Sequence, residues 1–198
     1  MKHHFFAYIA RLRYITRWAL MRNTLSENVQ EHSHMVAVLA HALAVIRNRV
    51  YGGSVDAGLA AAAALYHDAP EILTGDMPTP IKYHDPEITD AYRRVEAVAC
   101  DRLLSTLPEA LRDDYAPLLR CTDEQVCTLV KAADKLSAYI KCVEELKAGN
   151  TEFRRAAAQT RAALDAMALP ELDYFMENCM DSFSLTLDEL EQRGGTFD

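Results

Sequence analysis

The chain has 198 residues, half of them hydrophobic and a quarter charged, with a formal net charge of −8. That length buries a real core, and the surplus of carboxylates argues against a duplex-binding surface, which needs clustered lysine and arginine. A small anionic substrate stays open, because one bound divalent metal reverses the local field.

Few glycines and prolines, with almost no period-two alternation of β-branched residues, predict an all-α protein. Residues 4–16 place Phe5, Ile9, Leu12 and Ile15 on one face of an amphipathic helix. Arg17-Trp18 follows and holds the only tryptophan. This pair reads either as a surface arginine beside a core ring, or as a phosphate clamp beside a ring that packs on a sugar or base. Thr24-Leu25-Ser26-Glu27 has capping-box spacing. The helix after it carries an apolar stripe, Met35, Leu39, Ala42, Leu43 and Ile46, which His32 extends. Glu31 is a candidate to orient His32. His34 and His41 fall off the stripe and read as structural or exposed.

Gly52-Gly53 breaks the chain, with Ser54 or Asp56 as the next cap. The alanine-rich helix that follows is apolar on nearly every side and should be the buried centre. It delivers His67-Asp68 at its end. Pro70 lacks an amide hydrogen, so the helix should kink there and free the Tyr66 carbonyl. Leu73 to Pro80 reads as a stiff loop, with Met77 and Thr79 extended before prolines, and as a pocket wall.

Residues 87–106 form another amphipathic helix, and a short helix carries Leu111, Tyr115, Leu118 and Leu119. Thr122-Asp123-Glu124-Gln125 caps a long helix that Gly149-Asn150 ends. Within it Asp134 lies at the edge of the apolar face, with Lys135 and Lys141 as possible surface partners. Two further helices follow, the first stopped by Pro170. Thr186 caps a last turn, and a loose tail is expected from about 193. Nothing splits the chain, so a single domain spanning 1–198 is expected.

No apolar run approaches the ~20 residues that span a bilayer, and the N-terminal stretch Met1 to Phe6 lacks signal-peptide features. Neither membrane nor nucleic acid is expected as a partner. The five cysteines contain no C-x-x-C pair and read as reduced thiols of a cytoplasmic protein.

The chemistry gathers at His67-Asp68. Buried charges are costly unless paired or metal-bound, so this pair looks like two ligands awaiting a cation. Glu71 lies four residues after His67 and three after Asp68, on the same face if the helix continues. It could then act on a water at that cation without being a ligand. His32 and Asp134 supply a second imidazole and a second carboxylate. Such a mixed nitrogen and oxygen set suits Mn, Co, Fe, Zn or Cu.

His32, His67-Asp68 and Asp134, in that order on successive helices, resemble the H…HD…D pattern of HD-domain metal phosphohydrolases. Arg17-Trp18, Glu31-His32-Ser33, His67 to Glu71, Thr74 to Pro80 and Ala133-Asp134 are similar to the bacterial 5′-deoxynucleotidases within that group. The likeness extends to Lys141 to Leu146 and Asp173 to Met176.

The resemblance implies an HD-type helical fold and hydrolysis of deoxyribonucleoside 5′-monophosphates. It implies one divalent metal on His32, His67, Asp68 and Asp134, with Glu71 as the catalytic carboxylate. Arg17 would orient the phosphate for catalysis. Trp18, Asp76, Met77, Pro78 and Thr79 would shape the sugar and base pocket, with His32, Asp68 and Asp134 also facing substrate. A homodimer is implied too. The alternatives are another HD phosphohydrolase, acting on a diester or a nucleoside triphosphate, and a nucleotide sensor without turnover. Intact Glu71 argues against a sensor, and the lack of a basic segment beyond Arg17 argues against a triphosphatase.

Overall fold

The alanine run of the third helix lets two long helices approach the same backbone. In the computed structural model, which describes residues 2–82 and 84–193, Ala60, Ala63 and Ala64 are fully buried. This helix, α3 (Ala57–Tyr66), packs against α2 (Val29–Val50) and α8 (Glu124–Lys147), and those two pack on each other. Leu39, Leu43, Leu129 and Leu136 fill the core between them. The outer face of α3 is not covered, however, and Leu65 is 44% exposed.

The first predicted helix forms as α1 (Phe5–Ile9), which tightens into a 3-10 turn over Ala10–Tyr14. It packs on α6 (Pro86–Ser105), where Phe5 joins Leu103, Leu104 and Leu107 in a second core. α7 (Glu109–Arg120) packs on α6 and α3, and α9 (Arg154–Asp165) lies on α8. α10 (Pro170–Asn178) returns to α2, where Arg47 pairs with the buried Glu171 at 3.1 Å. α11 (Leu187–Arg193) starts at the expected Thr186 cap, whose hydroxyl receives the Glu189 amide. The predicted loose tail lies, from 194 onward, outside the described residues. No β-strand forms among the described residues, and the one isolated bridge joins Thr16 to Asn28.

Caps set the helix starts. Asp56 rather than Ser54 opens α3, accepting from the Leu59 amide, and Asp123 opens α8. The capping box before α2 is Asn28 with Glu31, not Thr24 with Glu27. Asn28 adjoins the apolar run, whereas Thr24 and Glu27 are drawn into contacts with distant residues. Glu31, spent on the cap, does not reach His32.

Near Pro70 the helix ends outright. The Tyr66 carbonyl that proline would orphan accepts the Ala69 amide at 3.0 Å, and a new short helix, α4 (Glu71–Thr74), begins. Gly75 at φ +72° closes α4, a backbone that favours glycine. The expected loop 73–80 is shorter than predicted, because Thr79 opens α5 (Thr79–Lys82). Two further expectations fail. Cys121 and Cys127 are disulfide-bonded, the left-handed backbone at Cys121 turning the chain back on itself; Cys100, Cys142 and Cys179 are free. Lys141 is buried rather than a surface partner of Asp134.

Candidate active site

α2, the end of α3 and α8 bring His32, His67, Asp68 and Asp134 together from three stretches of sequence. His32 is fully buried, and its Nε2 lies 3.1 Å from Asp134 Oδ1 and 3.6 Å from Asp68 Oδ2. Its other nitrogen, Nδ1, sits 3.1 Å from Ser137 Oγ, one turn beyond Asp134 on α8. His67 donates from Nδ1 to the Ala64 carbonyl at 2.7 Å, which turns Nε2 toward Asp68 Oδ2 at 3.0 Å. A backbone bond of this kind fixes the ring of a ligating histidine.

Ligand atoms of His32, His67 and Asp68 all lie within 4.8 Å of one another. Asp134 stands at the edge of this trio, touching it through His32, and is 41% exposed. Although 3.0 Å from Asp68, His67 Nε2 is buried without an aligned hydrogen bond. Several donors aimed at one point, with one left unsatisfied, are what a cation site requires.

The electrostatics favour positive charge at that point. Burial pushes the His67 imidazole down, but the negative charge of Asp68 3.0 Å away, with Asp134 behind, raises it to about 9. Burial pushes Asp68 up, as does the protein packed around the inner side of the Asp134 carboxylate, yet the two imidazoles hold both carboxyls below the ordinary range. Arg17 extends Nη1 to 3.7 Å from Asp68 Oδ2.

Glu71 is buried at the start of α4, so it reaches the site despite the helix break, and its Oε2 has no hydrogen-bond partner. Burial first, then the neighbouring charges of Asp68 and Asp76, push its carboxyl up to about 9. Asp76 itself is raised by burial, with Arg17 pulling it back. Asp76, Met77 and Pro78 are half-buried in the loop after α4. Thr79 begins α5, and its side chain lies outside the described part of the structure.

Trp18 packs as the core-ring reading expected, but the arginine beside it is shielded rather than at the surface. Its ring packs on Phe153, centroids 5.3 Å apart, while its indole Nε1 donates to Glu27 Oε2 at 3.0 Å. That same oxygen accepts from Arg17 Nε at 3.1 Å. The sequence reading missed Glu27, Ser137 and a buried Lys141–Glu145 pair. Ser137 was findable, since it lies three residues after Asp134 on one helical face. Glu27 was not, because its role depends on how residues 18–28 fold back.

A family described as 5′-deoxynucleotidase YfbR-like matches residues 4–183. The chain is 51% identical over 191 residues to the 5′-deoxynucleotidase YfbR of Shigella boydii, covering 96% of each, and equally to that of Escherichia coli. Among solved structures, an HD-domain phosphohydrolase from Listeria innocua aligns with a TM-score of 0.78 at 20% identity, covering 96% of this chain and 94% of that one. A cyanophage S-2L HD phosphohydrolase, DatZ, bound to dA and one catalytic zinc ion, aligns with a TM-score of 0.64 at 19% identity, covering 89% and 96%. These two likenesses establish the HD-type helical fold, in agreement with the sequence reading. The chain belongs to the YfbR-like 5′-deoxynucleotidase family.

Proposed function

We propose that this protein removes the phosphate from deoxyribonucleoside 5′-monophosphates, with one divalent metal held by His32, His67, Asp68 and Asp134. The observation that carries the reading is the convergence of His32, His67 and Asp68 beside the Arg17 guanidinium. The names of the family and of its 51% identical relatives support it. The donor set and a His67 Nε2 that lies against Asp68 without an aligned hydrogen bond fit a divalent cation. When bound, that cation supplies Lewis-acid polarisation and offsets the Asp68 charge that raises Glu71.

The chain's own groups divide the remaining work. Arg17 neutralises charge on the phosphoryl oxygens, which is most of what phosphoryl transfer asks of a protein. Glu71, with Oε2 unengaged, orients the attacking water and takes its proton. Trp18 and residues 76–79 wall the sugar and base, and His32, Asp68 and Asp134 face the substrate from the metal side. We further propose a cytoplasmic homodimer. The exposed Val38, Val45 and Leu65 on α2 and α3 support self-association. Light scattering decides the oligomeric state, and a monomer at micromolar concentration would overturn the dimer.

The test of function is a phosphate-release screen over ribo- and deoxyribonucleoside 5′-monophosphates, each with Mn, Co, Zn, Fe and Cu. Deoxy substrates should be preferred, chelation should abolish release, and one of these metals should restore it. Full activity in a demonstrably metal-free preparation overturns the metal assignment. Equal rates on both sugars overturn the deoxyribose preference.

A further inference from the structure

Consecutive residues of an extended chain point to opposite sides, so Arg17 and Trp18 should not share a partner. They do. Glu27 Oε2 accepts from Arg17 Nε and from Trp18 Nε1, at 3.1 and 3.0 Å. What makes this possible is a left-handed backbone at Trp18, φ +57°, which swings the indole round to the arginine's side. Such a backbone is strained for a residue with a bulky side chain and persists only where its surroundings enforce it.

Glu27 is well placed to enforce it. Its carbonyl accepts the Arg17 amide at 3.0 Å, and the Val29 amide donates to the Ile15 carbonyl at 3.0 Å, so residues 15–17 and 27–29 run side by side. Both side chains are largely shielded, Arg17 at 12% exposure and Glu27 at 17%, where a charge-assisted bond holds its geometry. The guanidinium is thus suspended between two carboxylates, with Nε on Glu27 and Nη1 3.7 Å from Asp68. Released from Glu27, it would close on Asp68 and turn away from an incoming phosphate.

We propose that Glu27 is a positioning residue that locks Arg17 and Trp18 into one relative placement, so that phosphate grip and sugar discrimination operate as a unit. Glu27 itself touches no substrate. The proposal rests on the roles given above to Arg17 and Trp18.

The test compares Glu27→Ala and Glu27→Gln with the parent as full-length, metal-loaded enzymes. Glu27→Ala should lose about tenfold or more in kcat/KM on deoxyadenosine 5′-monophosphate, since small misplacements of a positioning group are costly. It should also narrow the preference over adenosine 5′-monophosphate, with metal content near the parent's and kinetics read on folded protein, well below its melting temperature. Glu27→Gln keeps an acceptor oxygen at the same reach, so it should retain the sugar preference while losing part of kcat. Parental kcat/KM and parental sugar preference in Glu27→Ala overturn the proposal. If Glu27→Ala does not fold, parental kinetics in Glu27→Gln overturn it instead.

A second readout needs no turnover. Trp18 is the only tryptophan, so intrinsic emission reports this indole alone. Glu27→Ala should shift the emission and steepen acrylamide quenching, and an unchanged spectrum would sink the lock. A parent inactive on every monophosphate would end the enzymatic reading, while the emission would still decide whether Glu27 holds Trp18.

Discussion

Lys141 and Glu145 stand one turn apart on α8, both buried and 2.5 Å apart, and together they grip the Thr24–Leu25 turn. Glu145 accepts from the Thr24 amide and hydroxyl, the Leu25 amide and Asn150 Nδ2, while Lys141 donates to the Leu25 carbonyl. This latch ties the segment that follows Arg17-Trp18 to the helix that carries Asp134.

The latch makes stability depend on pH in a defined direction. Burial pushes Glu145 up, but hydrogen bonds from Lys141, Thr24 and Asn150 outweigh it and hold the carboxyl well below its ordinary value. A depressed carboxyl contributes stability above its unfolded pKa, near ~4.3, and that contribution drains away as pH falls further. Lys141→Met should cost about 3–5 kcal/mol at neutral pH, because it leaves a buried charge unpaired. The penalty should shrink toward pH 4, where the stranded carboxyl takes up a proton. Urea melts of both proteins at the two pH values check this, and a pH-independent penalty contradicts it.

Glu71 allows binding and chemistry to be separated. Glu71→Gln keeps the shape of the side chain and removes its ability to accept a proton. Turnover should fall by a factor of about 10² or more, with metal and nucleotide affinity retained. Without the metal the buried carboxyl is pushed up to about 9, so the neutral amide should not lower the melting temperature of the metal-free protein at pH 7. Steady-state kinetics beside calorimetry of nucleotide binding provide the check. Parental turnover would move the catalytic role to another carboxylate, with Asp76 first.

Trp18 should affect two quantities separately. Trp18→Leu removes the half-buried ring from Phe153 and should cost about 2 kcal/mol, less than the ~3–5 of a fully buried ring. It should also narrow the deoxyribo-to-ribo ratio in kcat/KM, since apolar walls reject an added hydroxyl by only about 10²-fold. The ratio is measured on folded protein at equal metal loading. An unchanged ratio with lost stability would make Trp18 a packing residue alone.

The metal-site candidates were legible because helical periodicity exposes anomalies. His32 and Asp134 are polar groups set on or beside apolar faces, and α2, α3 and α8 put those faces together. Glu71 was legible for a weaker reason: the spacing assumed a continuous helix, and it reaches the site from a new one. The misplaced capping box shows the limit of local rules. Thr24–Glu27 and Asn28–Glu31 have the same spacing, and tertiary contacts decided between them. Lys141 looked external because lysine is rarely buried, and its i,i+4 glutamate is a pattern more common on surfaces. Cys121 and Cys127 pair through a left-handed turn that no spacing rule encodes.

One substitution at a residue that is no part of the site should raise stability. Ala168 follows α9 with φ +49° and is exposed. A left-handed backbone costs a residue with a Cβ roughly 1–2 kcal/mol, and glycine avoids that cost while losing some chain entropy. Ala168→Gly should therefore gain about 0.5–1 kcal/mol net, read as a higher urea midpoint with an unchanged slope. A lower midpoint would contradict the strain.

His32 meets Asp134 and Ser137 across 102 and 105 residues, and Thr24 meets Glu145 across 121. Contacts this distant in sequence close late in folding, after the loops between them have been drawn together. During synthesis the N-terminal part is delivered first, so His32, His67 and Asp68 exist before α8 does. Under the proposed metal assignment, the nascent chain carries three ligands and no fourth, open to whichever cation the ribosome's surroundings offer. The arrival of α8 then brings Asp134, and the Lys141–Glu145 latch sets the Thr24 turn. Under that assignment, metal affinity and the docking of α8 should be coupled, so a change that loosens α8 should cost metal as well as stability.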